Sequence, residues 1–192
     1  EFSRVLFRSM LYLIWDLGLK VGHATRTIDD CMHQAEADLT IRTSLLEARW
    51  LTGDKDLFNT FQHRFAADVV SRGGADFVEA KLAERDQRLV RMGSSRYVLE
   101  PNVKEGKGGL RDLQTLFWIA KSLYRVDDLA GMVKEGVLTE GDADVFSKAQ
   151  AFLWTVRCHL HYLAGRAEER LTFDVQDAIA ERMGYTDAAE AR

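Results

Sequence analysis

Glu100-Pro-Asn-Val-Lys-Glu-Gly-Lys-Gly-Gly-Leu-Arg-Asp-Leu-Gln-Thr-Leu-Phe-Trp-Ile-Ala-Lys121 runs from the chain's only proline, Pro101, through a loop bearing glycine and lysine into an amphipathic helix. Leu110, Leu113, Phe117, Ala120 and Tyr124 recur at helical spacing. A glycine-rich, lysine-bearing loop feeding a helix N-terminus suits an anion, because free backbone N–H groups and the positive end of the dipole meet there. Glycine also lets backbone approach a ligand closely. Arg111 and Asp112 fall in the first turn, placed for a phosphate and for a metal or base edge respectively. The same residues suit a purely structural role: Gly-Gly makes a tight turn into a helix, and Lys104 and Lys107 are then simply solvated. The spacing is neither a P-loop nor a dinucleotide fingerprint.

Outward from this stretch the chain reads as helical. Thr27 with Asp30, and Thr139 with Asp142, are capping-box pairs. They open a helix burying Ile28, Cys31, Met32 and Ala35, and a long helix to about Ala164 lined by Val145, Ala149, Phe152, Val156, Leu160 and Leu163. A helix from about Asp38 to Leu51 buries Ile41, Leu45 and Ala48, and Leu57, Phe58, Phe61, Phe65 and Val69 form another apolar face. Gly73-Gly74 breaks the chain. The helix Asp76 to Met92 turns Val78, Leu82 and Leu89 inward, and its charges form a solvated face. Asp174 with Asp177 caps a last helix that Gly184 ends. Three segments read as extended: Leu19 to Arg26, which alternates; Arg96 to Leu99, before Pro101; and Leu171 to Phe173. Met10 to Leu17 ends a helix. Glu1 to Ser9 leads poorly into it and reads as a non-native scar.

A net charge of −4 over 192 residues argues against a broad nucleic-acid footprint. No apolar run is long enough to span a membrane. Cys31 and Cys158, far apart on apolar stripes, read as buried free thiols in a reducing cytosol. His159 and His161, two apart on a helix, point to different faces and make no zinc pair.

Leu13 to Arg26, Asp38 to Arg49, Tyr97 to Leu113, Arg157 to His161 and Arg170 to Asp174 together resemble the bacterial PII uridylyltransferase/uridylyl-removing enzymes. The resemblance covers Met10 to Arg192. It implies a nucleotidyltransferase domain, a helical domain, a metal-dependent HD hydrolase domain and glutamine-sensing ACT domains. Such enzymes are cytoplasmic and transfer UMP from UTP to a tyrosine of the PII signalling protein, with Mg2+ held by two acidic residues on a strand. The family's Gly-Gly-x-Gly-Arg-Gly-Glu loop and Asp-x-Asp carboxylates belong before Met10, where Glu1 to Ser9 stand. The expectation is therefore an inactive fragment without the metal site and with no assignable catalytic residue. Lys104, Gly108, Gly109, Arg111 and Asp112 carry over as positions facing the nucleotide cleft; His23 and Arg26 match the family's strand without assigned roles. The expected architecture is mainly α: residues 10–53 as the remnant of an α/β nucleotidyltransferase domain, packed on a helical-bundle domain over 54–192. The related glutamine synthetase adenylyltransferase shares a shorter form of the central motif, but Val-Gly-His-Ala-Thr-Arg26 argues against it. A non-enzymatic helical interaction module is the remaining alternative.

Overall fold

The computed structural model describes residues 2–92 and 98–186, with side chains from residue 8 onward. The expected turn at 93–95, the start of the extended segment at 96–97 and the polar tail from 187 lie outside the described residues. The fold is mainly α. In order, the helices are α1 (Phe2–Asp16), α2 (Ile28–Ala37), α3 (Leu39–Leu46), α4 (Lys55–Arg64), α5 (Gly74–Met92), α6 (Leu110–Tyr124), α7 (Leu129–Lys134), α8 (Glu140–Ala164) and α9 (Phe173–Arg182). No helix among the described residues is long and apolar enough to cross a membrane.

Local chemistry explains most helix starts. Thr27 and Thr139 each accept the N–H of the residue three ahead, while Asp30 and Asp142 accept the cap residue's own N–H. Asp38 caps α3 through the Thr40 and Ile41 N–H groups, and Asp54 caps α4 through Asp56 and Leu57. At α9 the helix starts two residues earlier than the Asp174–Asp177 pairing implies, after Thr172, with no side-chain cap. These bonds hold the Asp30 and Asp142 carboxyls below the usual carboxylate range through the Thr27 and Thr139 side chains, and Asp38 through the Ile41 and Thr40 N–H groups. A carboxyl depressed in the folded state stabilises it above its unfolded pKa of 3.8 and loses that contribution as pH falls through the folded value. Melting temperature should therefore fall with acidification below about pH 4. The double variant Asp30→Asn/Asp142→Asn should flatten that limb of the profile; an unchanged limb would show that the caps do not couple to folding.

One hydrophobic cluster joins Met32 and Ala35 of α2, Leu46 of α3, Phe65, Val69, Val70, Phe77 of α5 and Trp118 of α6. It spans the position of Gly53. A second cluster packs α8 and α9 on Val103, and a third folds α7 back on Ala120. Between α4 and α5, residues Phe65–Val70 wind as a π-helix, where Phe61 stacks on Phe65 at 5.8 Å. Arg42 reaches from α3 to donate to the carbonyls of Val69 (3.2 Å) and Gly73 (2.8 Å), each of which also accepts a backbone N–H, and so ties α3 to the turn before α5.

Several expectations are corrected. Leu19 to Arg26 is not a strand; Thr172 is extended as expected, but Phe173 already opens α9, and among the described residues the only bridge is Asn102 with Arg170. An alternating segment becomes a strand only beside a partner, and none flanks Leu19 to Arg26. α3 stops at Leu46 and buries Thr43 and Leu46 most fully, while Ile41, Leu45 and Ala48 are half-buried, Leu45 against the core. The inward face of α5 is Phe77, Lys81 and Arg88; Leu82 is exposed. Val145 and Phe152 on α8 are exposed, as is Leu57 on α4 and Tyr124 on α6. Cys158 is exposed and Cys31 only half-buried.

Candidate functional site: a cationic cleft beside the glycine loop

The loop of residues 101–109 is built by hydrogen bonds to itself. Asn102 Oδ1 accepts the N–H groups of Lys104 and Glu105, and Gly106 N–H donates to Asn102 O. Leu110 N–H donates to Val103 O at 3.0 Å, Arg111 N–H to Lys104 O at 2.9 Å and Asp112 N–H to Gly109 O at 3.0 Å. The first-turn N–H groups of α6 are therefore not free for an anion, correcting the expectation from the sequence. Gly108 has φ +74°, which favours glycine. Gly109 is required by crowding: a Cβ there would meet the carbonyl oxygens of Val103, Lys104 and Gly106 at 2.8, 2.9 and 3.0 Å. The glycine run makes room for the loop's own backbone.

Side chains then carry the chemistry. Asp112 accepts from the Gly108 N–H at 2.8 Å with one oxygen and from Arg88 Nη2 of α5 with the other. Glu105 accepts from Arg111 Nη2 at 3.3 Å and lies 3.9 Å from Arg88 Nε and 3.7 Å from Lys104 Nζ. Arg111 also donates to Gln114 at 2.7 Å and stands 5.7 Å from the Trp118 ring centre. Lys104 faces the other way, 3.9 Å from Glu169. Burial alone would raise the Glu169 carboxyl, but the Arg157 fork, two bonds of 2.7 Å, outweighs it and holds the carboxyl low. His161 Nε2 stands 3.6 Å from the same carboxylate.

Beside Arg111 a cleft of about 490 Å³ opens between α3, α5 and α6. Its cations are Lys81, Arg88, Arg91 and Arg111; its acids are Glu47, Glu84 and Glu105. Of the residues singled out from sequence, only Arg111 lines it. Lys104 and Asp112 flank it through ion pairs, and Gly108 and Gly109 shape the loop behind it. His23 and Arg26 are exposed on the segment before α2, His23 with its ring 5.8 Å from Trp15. Sequence reasoning missed Lys81, Arg88, Arg91 and Trp118. The available signal was that Lys81, Glu84 and Arg88 follow Phe77 at helical spacing, on the face an apolar stripe would occupy. Among the described residues no three His, Cys, Asp or Glu side chains stand together to hold a metal ion. Asp112 and Glu105 are engaged by guanidinium groups, so the residues present do not fit a magnesium site.

A family model described as GlnD PII-uridylyltransferase matches residues 76–192, which include most of α5, the loop and the cleft's four cations. The chain belongs to this family. Relatives in the GlnD PII-uridylyltransferase family include the bifunctional uridylyltransferase/uridylyl-removing enzyme of Azospirillum brasilense, 63% identical over 94% of this chain. The protein of the same description from Rhodospirillum rubrum is 63% identical over 95% of it. The chain spans only 19% and 20% of those two proteins. No solved structure matches.

Proposed function

We propose that this chain is the helical part of a bifunctional enzyme that adds UMP from UTP to a tyrosine of a PII protein and removes it again, acting in the cytoplasm. Its α5–α6 cleft forms one wall of the nucleotide site. The observation that carries this reading is Arg111, held by Glu105 and Gln114 at the edge of a cleft with three further cations. A planar guanidinium so placed suits phosphate oxygens through its fork. Lys104 and the Gly108–Gly109 backbone support that wall rather than touch substrate, and Asp112 positions Arg88. His23 and Arg26, on an exposed segment, take no part in it. Magnesium belongs to carboxylates outside this chain, and glutamine acts as effector through other domains of the full enzyme.

Two results are expected. In the full-length enzyme, Arg111→Lys should lower kcat/KM for UTP roughly tenfold to a hundredfold, as expected for loss of one charge-assisted contact of about 1.5–3 kcal/mol. Its melting temperature should stay close to wild type. Unchanged UTP kinetics would sink the nucleotide role, and a collapsed melting temperature would make Arg111 a structural tie. The 192-residue chain alone should neither label PII nor remove the label, because the carboxylates near its cleft are occupied by cations.

A further inference from the structure

We infer that Lys81, Arg88 and Arg111, with Trp118 between Lys81 and Arg111, form a binding subsite for a polyphosphate. This rests on the reading of the cleft given above and adds two buried cations and an indole donor to it.

Lys81 is 4% exposed and Arg88 6%. Charges so buried are normally neutralised and fully hydrogen-bonded. These two are incompletely served. Lys81 Nζ has one acceptor, Glu84 at 2.7 Å, and that carboxylate is half exposed. Its remaining N–H groups face aromatic rings, with the Trp118 ring centre at 4.7 Å and the Phe77 ring centre at 5.8 Å. Arg88 is engaged through Nη2 by Asp112, but its Nε has no hydrogen-bond partner, and neither has Trp118 Nε1. The side chains that carry these two orphaned donors and the half-satisfied ammonium all line one cleft, with the two donor atoms themselves closed off from solvent. A ligand presenting several anionic oxygens supplies the acceptors that all three lack, once Arg88 and Trp118 turn their buried donors toward it.

The arrangement selects the class of anion. Lys81, Arg88 and Arg91 lie along one face of α5, and ten residues of helix cover about 15 Å. That row outruns a single phosphate and matches a chain of them, with Arg111 approaching from α6. A polyphosphate reaches such a cleft from two sources: the tail of a nucleoside triphosphate, or pyrophosphate released when a nucleotidyl group is transferred.

The test is calorimetric titration of the 192-residue chain with sodium pyrophosphate, with UTP and with uridine. Pyrophosphate and UTP should bind and compete, and uridine should not displace pyrophosphate. Tighter binding of UTP assigns the site to the nucleotide tail; tighter binding of pyrophosphate assigns it to the released product. Lys81→Met, which places an apolar chain between two aromatic rings, should keep the fold and weaken pyrophosphate at least tenfold. Trp118→Phe removes an unsatisfied donor, so it should leave the melting temperature level while weakening pyrophosphate several-fold. Arg91→Gln, on an exposed side chain, provides a third variant that cannot disturb the core, and it should weaken pyrophosphate two- to fivefold. Absence of pyrophosphate binding at millimolar concentration, or wild-type affinity in folded Trp118→Phe and Arg91→Gln, would overturn the inference. Loss of pyrophosphate binding in Lys81→Met, with unchanged UTP kinetics in the full-length enzyme, would support the subsite and refute its membership of the transfer site.

Discussion

Gly109→Ala is expected to lower the melting temperature by roughly 5–15 °C, at 2–4 °C per kcal/mol for a chain of this size. The backbone at Gly109, φ −79° and ψ −180°, is open to any residue, so the effect is one of space. The new methyl would lie 2.8–3.0 Å from three carbonyl oxygens. Backbone must shift to admit it, and the bonds from Leu110 to Val103 and from Arg111 to Lys104 lie in the way. Overpacking costs about 1–3 kcal/mol and each lost hydrogen bond about 1, for a total of about 2–4 kcal/mol. Gly108→Ala is the control. Its Cβ would meet open space, so only the left-handed conformation is penalised, by about 1–2 kcal/mol. Thermal melts of the two variants should rank Gly109→Ala well below Gly108→Ala. The reverse order would mean that the loop yields easily and that its glycines serve something other than their own packing.

Asp112→Ala should cost about 3 kcal/mol in denaturant unfolding, the lower end for breaking a buried ion pair because the Asp112 side chain is 22% exposed. The variant leaves Arg88 buried with only Glu105 at 3.9 Å and takes the acceptor from the Gly108 N–H. Asp112→Asn keeps one acceptor but sets an NH2 donor against the other N–H and removes the charge, so it should lose nearly as much. Arg88→Met combined with Asp112→Leu should recover much of the loss, since apolar residues commonly replace a buried pair without penalty. A single variant within about 0.5 kcal/mol of wild type, the range of ordinary surface changes, would show that the pair does not tie α6 to α5.

Features set by neighbours in sequence were legible; features set by neighbours in space were not. Thr27 with Asp30 and Thr139 with Asp142 are caps because each needs only its own first turn. The break before α5 and the end of α9 at Gly184, φ +81°, follow from glycine in the same way. The extended segment Leu19 to Arg26 was misread because its alternation says nothing about a partner strand. The face of α5 was misread because charge was taken for exposure. Lys81 is buried by the rings of Phe77 and Trp118 and Arg88 by an acid 24 residues away, while their long stems pack like hydrocarbon. Of the candidate site, the motif and its Arg111 were visible in the sequence. The cleft wall was not, because two of its three helices are brought to α6 by tertiary packing.

The bridge between Asn102 and Arg170 has an evolutionary consequence. Val103 N–H donates to Glu169 O at 2.8 Å and Leu171 N–H to Pro101 O at 2.9 Å, so two distant parts of the chain are fastened at one point. Everything from α6 to α8 is an excursion that leaves this fastening and returns to it. Closing a longer excursion adds little entropy, only about 0.6 kcal/mol for each doubling of its length. Descendants can therefore lengthen or trim the turns around α7 without shifting the register of the loop, whereas a single insertion at 101–109 or 169–171 would have to be absorbed where no slack exists.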